Sequence, residues 1–107
     1  MKRYDVFVAR LDPVQGGKMG KTRPVVIVSD DLRSQLLQTV VVCPLTSQLH
    51  PAWRSRLQVR CAGRPAEIAV DQIRVLSRAR LTRKIGHLSA AEAENLRQLI
   101  SEMYGEP

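Results

Sequence analysis

Three short segments of this sequence carry residue types that could cleave RNA. They are Gly20-Lys21-Thr22-Arg23-Pro24, Pro44-Leu45-Thr46-Ser47 and Val70-Asp71-Gln72-Ile73-Arg74, and each lies at the end of a predicted strand. Cleavage without a metal ion needs a base for the ribose 2′-OH, cations for the pentavalent phosphate and an acid for the leaving 5′-oxygen. The segments supply a guanidinium, hydroxyls, a carboxylate and an amide. These are the kinds of group that such a reaction needs, and DNA would be spared because it lacks the attacking hydroxyl.

The charge of the chain favours an acidic partner. Its 107 residues include 17 Lys and Arg against 10 Asp and Glu, a formal net charge of +7, and most of the basic residues are arginine. The planar guanidinium suits phosphate oxygens. The balance therefore favours nucleic acid or an acidic protein as the partner, and a merely well-solvated basic surface is the alternative that charge alone leaves open. The length predicts one domain covering residues 1–107.

The sequence also predicts where the protein works. No apolar run approaches the roughly 18–20 residues of a membrane span. No apolar stretch follows the basic N-terminal residues, as it would in a signal peptide. We therefore expect a cytoplasmic protein that has no membrane partner.

Short β-rich runs separated by turn signals fill the first two thirds of the chain. The predicted strands cover residues 5–11, 24–29, 39–43, 57–61 and 68–76. The β-branched run 24–29 is expected to be buried on both faces, and strand 39–43 is expected to stop at Pro44. Closely spaced strands of this kind predict a small barrel or sandwich.

Two helices are predicted. Residues 30–37 could form about two helical turns. A clearer helix follows Ser89, which with Glu92 has the spacing of a capping box. The amphipathic stripe that follows consists of Leu96, Leu99, Ile100 and Met103. Gly105 is a natural end for this helix, which must cover the barrel or a partner.

Two motifs are rejected as cofactor sites. Gly20-Lys21-Thr22 resembles the end of a phosphate-binding P-loop, but the required first glycine is Gln15, and a strand rather than a helix follows. Cys43 and Cys61 have no metal-ligand spacing and are expected to be reduced thiols. We expect no metal and no cofactor.

Five segments in combination resemble the MazF/PemK toxins. They are Asp12-Pro13, residues 20–29, Pro44-Leu45-Thr46-Ser47, residues 70–74, and Lys84-Ile85-Gly86-His87-Leu88-Ser89. The match runs in order from about residue 3 to residue 103. The resemblance implies a mainly β fold with α, a small SH3-like β-barrel (CcdB/PemK-like) with a C-terminal amphipathic helix, acting as a homodimer. It also implies a toxin that cuts single-stranded RNA without metal at selected sequences, and an antitoxin that neutralises it with an acidic C-terminal tail.

The resemblance also implies roles for particular residues. Arg23 matches the arginine that family members use in acid/base catalysis and in stabilising the phosphate. Thr46 matches the residue whose hydroxyl lies at the scissile phosphate, and Ser47 is its neighbour. Asp71 falls where some members place a catalytic or base-reading carboxylate. Its alternative role is that of a structural ion-pair partner for Arg74 or another arginine.

Further residues complete the predicted substrate-binding set. Gln72 lies beside the aspartate, and Lys18 and Lys21 belong to the basic loop between the first two strands. Trp53 could stack on a splayed RNA base, a contact worth about 1–3 kcal/mol. Packing within the protein is the alternative for Trp53, and RNA contact by its neighbour His50 is left open.

The chain departs from the family pattern at positions that bear on proton transfer. An arginine of the PemK branch is replaced by Ala69, and a histidine of its first loop by Gly17. Arginine is a poor proton acceptor because its pKa lies above about 12. The base is therefore open between Glu67 and Asp71, while Arg23 and Thr46 are expected to dominate catalysis.

Two other functions compete with RNA cleavage. A gyrase-poisoning toxin of the CcdB kind is similar in fold and lacks nuclease activity. Its helix ends in an exposed Trp-Gly-Ile, whereas this chain ends Met103-Tyr104-Gly105-Glu106-Pro107. The other alternative is an RNA-binding module that has kept the fold and lost the chemistry.

Overall fold

The computed structural model describes residues 1–11 and 21–105. Along these residues the chain forms β1 (Asp5–Arg10), β2 (Thr22–Ile27), α1 (Asp31–Leu36), β3 (Thr39–Thr46), β4 (Arg56–Cys61), β5 (Arg64–Ala69), a 3-10 turn (Val70–Gln72), β6 (Arg74–Ser77), a second 3-10 turn (Arg78–Arg80), β7 (Leu81–His87) and α2 (Ala90–Tyr104). The predictions on Asp12-Pro13, Gly17 and Lys18 lie outside the described residues.

The strands form an antiparallel sheet that curls into a half-barrel. Its order is β4-β5-β3-β2-β1-β7, and β6 pairs with β3 beside this path. One edge of β3 pairs with β2, while its other edge pairs first with β6 and then with β5. The predicted fold class, a small β-barrel with a C-terminal amphipathic helix, is confirmed.

Strand β2 is buried on both faces, as its β-branched run predicts. Val26 belongs to the larger apolar cluster, which also contains Leu96 of α2. Val25 and Ile27 point the other way, into a second cluster with Val40 of β3. Successive strand residues face opposite sides, so β2 separates the two clusters.

Strand β3 does not stop at Pro44, contrary to the sequence prediction. It continues to Thr46, and Pro44 is buried opposite Val25 of β2. On the other edge, pairing with β6 ends at Val42 and pairing with β5 begins at Leu45. Proline cannot donate to a ladder, and here it falls where β3 changes partner. The strand therefore reaches the site with a proline inside it.

The prediction of one long or bent strand over 68–76 is wrong. Strand β5 begins earlier, at Arg64, and ends at Ala69, and a 3-10 turn separates it from β6. A two-residue turn joins β4 to β5, with φ of 52° at Ala62 and 78° at Gly63. Positive φ at both positions matches the right-handed twist of a tight hairpin. The 3-10 turn carries Asp71 and Gln72 to the end of β5.

The prediction for α2 is confirmed. The Ser89 hydroxyl accepts from the Glu92 N–H at 3.1 Å, and the Glu92 carboxylate accepts from the Ser89 N–H at 2.9 Å. Leu96 is fully buried, and the other apolar stripe residues pack on the same cluster. The helix ends at Tyr104, whose hydroxyl donates to the Val70 carbonyl at 2.8 Å. This bond ties the helix end to the turn beside the site.

Candidate active site

A cavity of about 400 Å³ opens where β2, β3 and the 3-10 turn after β5 come together. Its described lining residues are Leu11, Lys21, Arg23, Pro44, Thr46, Gln48, His50, Arg56, Ala69, Gln72 and Arg74. The structure therefore brings together four residues predicted from sequence: Lys21, Arg23, Thr46 and Gln72. We call this space the basic cavity.

A second cavity of about 470 Å³ shares a wall with the first. Arg23, Thr46 and Gln48 line both cavities, and Ser47 lines the second alone. Most of the remaining lining of the second cavity is apolar or uncharged: Pro24, Leu45, Cys61, Ala62, Pro65, Ala66 and Ile85. Arg23 and Thr46, which are expected to dominate catalysis, therefore lie between the basic cavity and a more apolar one.

Strand register sets Arg23 and Thr46 beside each other. Val25 of β2 pairs with Pro44 of β3, where the paired register ends, and Arg23 and Thr46 lie two residues beyond that pair on the two strands. Opposite residues project from the same face of a sheet. The Thr46 Oγ1 accepts from the Gln48 N–H at 3.1 Å, so its hydroxyl hydrogen remains available to donate. Both side chains are half-buried.

The basic cavity has an uneven charge. Lys21, Arg23, Arg56 and Arg74 are among its described lining residues, and no carboxylate is. Cations gathered in a concave surface raise the local potential and attract anions. The cavity is therefore suited to a phosphate backbone or to another polyanion.

Arg56 reaches this cavity from a network behind it. Its side chain is only 6% exposed, and Nη1 lies 3.2 Å from Glu67 Oε2 while Nε lies 2.9 Å from Asp71 Oδ1. The Glu67 carboxylate is fully buried and also accepts from Gln58 Nε2 at 2.7 Å and from the His50 N–H. Both carboxylate oxygens of Glu67 therefore accept hydrogen bonds, and these bonds hold the Arg56 side chain and the His50 backbone in place.

Both carboxylates of the network are stabilised in their ionised form. Burial favours a higher pKa for Glu67, but the hydrogen bonds from Gln58, His50 and Arg56 outweigh it and leave the pKa below its usual value. Burial acts in the same direction on Asp71, whose pKa is nevertheless lowered by hydrogen bonds from Arg56 and Ser55. Each carboxylate therefore stays charged at neutral pH.

Trp53 is not one of the described lining residues of the basic cavity, although it contacts His50 and Arg56, which are. Its indole is 49% exposed and stacks on the His50 ring, with the centroids 3.9 Å apart and the planes 9° apart. The Arg56 Cζ lies over the same indole, 4.8 Å from its centroid. An RNA base can stack on Trp53 only where these two groups leave the indole uncovered, so the base contact stays a prediction.

The structure adds residues that sequence reasoning missed. Arg56 and Gln48 line the cavity with the predicted residues, and so does His50, whose RNA contact the sequence left open. The sequence did contain a signal for Gln48, which follows Thr46-Ser47 directly. The sequence contained no signal for Arg56, because its position depends on the pairing of β4 with β5, where it lies opposite Ala69.

Asp71 lies in the 3-10 turn between β5 and β6. It is not among the described lining residues, although its neighbour Gln72 is. Its carboxylate binds Arg56, so the ion-pair alternative describes its contacts in the structure. A direct role of Asp71 in catalysis stays a prediction.

Residues 1–11 and 21–105 contain no group of three or more His, Cys, Asp or Glu side chains placed to hold a metal ion. Cys43 and Cys61 are free thiols, and burial raises the pKa of Cys43 to about 12. Neither helix of the described chain has the length and apolar character needed to span a membrane.

Comparison with known proteins gives relatives over nearly the whole chain. A family described as PemK-like, MazF-like toxin of type II toxin-antitoxin system matches residues 2–104. Endoribonuclease EndoA of Bacillus subtilis is 34% identical, with 82% of this chain and 80% of that protein covered. Endoribonuclease MazF of Staphylococcus saprophyticus is 31% identical, with 98% and 92% covered.

Solved structures agree in fold. The Mycobacterium tuberculosis toxin MazF-mt6 superposes with a TM-score of 0.80 at 23% identity, covering 96% of this chain and 98% of that one. An endoribonuclease from a mycobacterial species, solved in complex with its cognate antitoxin, gives a TM-score of 0.84 at 18% identity, covering 100% and 97%. At these identities the likeness concerns the fold.

Proposed function

This chain belongs to the family of PemK-like, MazF-like toxins of type II toxin-antitoxin systems, and from that premise we propose that it is the toxin of such a system and cuts single-stranded RNA at selected sequences without a metal ion. Its relatives EndoA and MazF are named endoribonucleases. The observation that carries the proposal is the meeting of Arg23 and Thr46 in one cation-lined cavity.

The reaction begins with attack of the ribose 2′-oxygen on the adjacent phosphorus. The P–O5′ bond then breaks, which leaves a 2′,3′-cyclic phosphate and a 5′-hydroxyl. Negative charge accumulates on the phosphoryl oxygens in the transition state, where fixed donors are most effective. Arg23 supplies a charged donor and Thr46 a neutral one. The three other lining cations hold the backbone on either side.

The remaining predicted residues bind the substrate. Lys21 and Gln72 line the basic cavity, and Ser47 lines the neighbouring one. Trp53 is proposed to receive a base on its free surface, and Lys18 belongs to the predicted basic loop. The catalytic or base-reading role of Asp71 belongs to this proposal too, in competition with its ion pair to Arg56.

The donor set of the cavity supports cleavage without a metal ion. Four cationic side chains already line the cavity, and they supply the charge neutralisation that a divalent cation gives in metal-dependent nucleases. No described lining residue is a carboxylate, the ligand type that Mg²⁺ prefers. The reaction is therefore expected to continue in EDTA.

The partners follow from charge and from the relatives. A net charge of +7 suits both RNA and an antitoxin with an acidic C-terminal tail. Among similar structures, MazF of Deinococcus radiodurans was solved with MazE, and the mycobacterial enzyme with its cognate antitoxin. We further propose that the chain is a single domain over residues 1–107, that it acts as a homodimer, and that it works in the cytoplasm.

The test is incubation of the purified protein with a long single-stranded RNA in EDTA, followed by mapping of the cut sites and their ends. We expect discrete cuts that leave 5′-hydroxyl and 2′,3′-cyclic or 3′-phosphate ends. Arg23→Ala should abolish the cuts while the protein stays folded. Arg97→Ala is the matched control, because Arg97 is exposed on α2 and pairs with Glu94.

Two outcomes would contradict the proposal. Undiminished cleavage by folded Arg23→Ala protein would remove the proposed site. RNA that stays intact with the unmodified protein would favour the gyrase-poisoning or the silent RNA-binding alternative, and a supercoiling assay with DNA gyrase separates those two.

A further inference from the structure

Among the described lining residues of the basic cavity, His50 is the one ionisable side chain that is neither lysine nor arginine. The other ionisable side chains of the described lining are Lys21, Arg23, Arg56 and Arg74. Lysine and arginine stay protonated at neutral pH, whereas imidazole exchanges its proton between about pH 5 and pH 8. The cavity thus offers many donors to a phosphate and one acceptor for a hydroxyl proton.

The position of His50 is held by its surroundings. Its backbone N–H donates to the buried Glu67, and its ring stacks on Trp53 at 3.9 Å. Within residues 1–11 and 21–105, neither ring nitrogen of His50 has a hydrogen-bond partner. An imidazole that is oriented by packing beside a cavity lined by cations is placed to receive a proton from a molecule bound there.

The carboxylates near the site are less suited to this task. Glu67 is fully buried and accepts hydrogen bonds from Gln58, Arg56 and the His50 N–H. Asp71 is bonded to Arg56. Neither is a described lining residue of the basic cavity. Their bonds instead fix Arg56 and the His50 backbone.

We propose that His50 is the general base of the RNA cleavage, an inference that rests on the proposed function. The neutral imidazole takes the proton of the 2′-hydroxyl as the O2′–P bond forms. The P–O5′ bond breaks, and the leaving 5′-oxygen takes a proton from water. The imidazolium then returns its proton to the hydroxide that remains, which restores both the histidine and the water.

The test compares single-turnover cleavage of a short RNA, carrying one mapped cut site, across pH 5–9 for the unmodified protein and for His50→Gln. We expect His50→Gln to cleave about 10²–10⁴-fold more slowly, the usual effect of losing general-base catalysis. The unmodified protein should show a rate that rises with pH on the acidic side, and His50→Gln should lack this rise. The groups that face His50, namely Arg56, Glu67 and the lining cations, are unchanged in the variant.

Binding and chemical rescue separate proton transfer from a structural role. A substrate with a 2′-deoxy sugar at the cut site binds without being cleaved, and its affinity for His50→Gln should stay within about threefold of the normal value, well below the loss in rate. Added imidazole should restore cleavage by His50→Ala at least about tenfold and should not restore Arg23→Ala. His87→Gln is the matched control, because it removes the other histidine, which contacts Asp5.

Each remaining outcome overturns the inference. If His50→Gln keeps the normal rate, or is slowed but keeps the acidic rise with no rescue of His50→Ala by imidazole, His50 is not the base. If the unmodified protein cleaves no RNA at any pH, the proposed function fails as well, and the two failures are thereby distinguished.

Discussion

The Arg56 guanidinium lies 2.9 Å from the Asp71 carboxylate and forms the ion pair that holds both residues beside the candidate active site. The same guanidinium lies 3.2 Å from Glu67, which is fully buried. Asp71, in the 3-10 turn after β5, is thus paired with an arginine of β4 and not with Arg74, three residues further on. The three side chains form one charged unit, and a change to one affects the others.

Removing Arg56 should destabilise the fold. Arg56→Ala leaves the buried Glu67 charge with only Gln58 and the His50 N–H as partners. Removing one partner of a buried ion pair lowers the free energy of unfolding by about 3 kcal/mol at the lower end of the usual range. We expect this lower value because the Glu67 carboxylate keeps two partners. Chemical denaturation at neutral pH measures the loss.

Arg60→Ala is the matched control for Arg56→Ala, because Arg60 lies on the same strand with an exposed side chain. It should cost about 0.5 kcal/mol or less, as surface substitutions usually do. Equal losses for the two variants would mean that the buried network adds nothing to stability.

Asp71→Asn tests what the carboxylate does. If Asp71 acts by holding Arg56, the variant should weaken RNA binding and cleavage together by about tenfold, because a charge-assisted hydrogen bond becomes a neutral one. Fluorescence anisotropy with an uncleavable RNA and single-turnover cleavage measure the two effects. Glu94→Gln, on the exposed face of α2, serves as the control. A loss of about 100-fold or more in rate with unchanged binding would instead assign Asp71 to the chemistry.

The elements could be predicted from sequence where local patterns decide the structure. The β-branched run correctly predicted that β2 is buried on both faces, and the Ser89–Glu92 pair correctly predicted the start of α2. Local patterns gave a wrong prediction where pairing between strands of the sheet determines the structure. Pro44 was expected to end β3, yet it sits where the strand changes partner.

The candidate site was predictable in part for the same reason. Arg23 and Thr46 belong to segments with recognisable motifs, and register brings them together. Arg56 could not be found, because it enters the cavity through its pairing with Ala69 across two strands. The resemblance gave Ala69 as the place of a missing arginine. The structure supplies a guanidinium to the same cavity from the neighbouring strand.

Acid should destabilise the fold partly through Asp5. This carboxylate is 2% exposed, and burial favours a higher pKa, but His87, the Lys2 N–H and Lys84 lower the pKa below its usual value. The contribution of ionised Asp5 to the stability of the fold is therefore complete at pH values above the aspartate pKa of the unfolded chain, about 3.9. It is lost as the pH falls through the lower pKa of the folded state.

Asp5→Asn tests this dependence on pH. The variant should be less stable than the unmodified protein at pH 7, and the difference should shrink as the pH falls below about 4. Urea denaturation at a series of pH values measures both. Glu102→Gln, an exposed carboxylate on α2, should follow the unmodified protein. A stability difference that stays constant down to pH 2 would show that Asp5 acts through packing and not through its charge.

Thr46 offers the sharpest test of transition-state stabilisation. Its Oγ1 accepts from the Gln48 N–H at 3.1 Å, which leaves the hydroxyl hydrogen available to donate, and Thr46 lines both cavities. Thr46→Val keeps the shape of the side chain and removes this donor. Loss of one such donor lowers the rate by about 10²–10³-fold, and single-turnover cleavage measures it.

Thr46→Ser and Ser47→Ala complete the comparison. Thr46→Ser restores the hydroxyl and should recover most of the rate, while Ser47→Ala should weaken binding with a smaller effect on the chemical step, because Ser47 lines only the second cavity. Uncleavable RNA should bind Thr46→Val nearly as well as the unmodified protein, since a transition-state contact contributes little to ground-state binding. If Thr46→Val loses affinity and rate equally, the hydroxyl holds the substrate, and stabilisation of the transition state then falls to Arg23 and the other cations of the cavity.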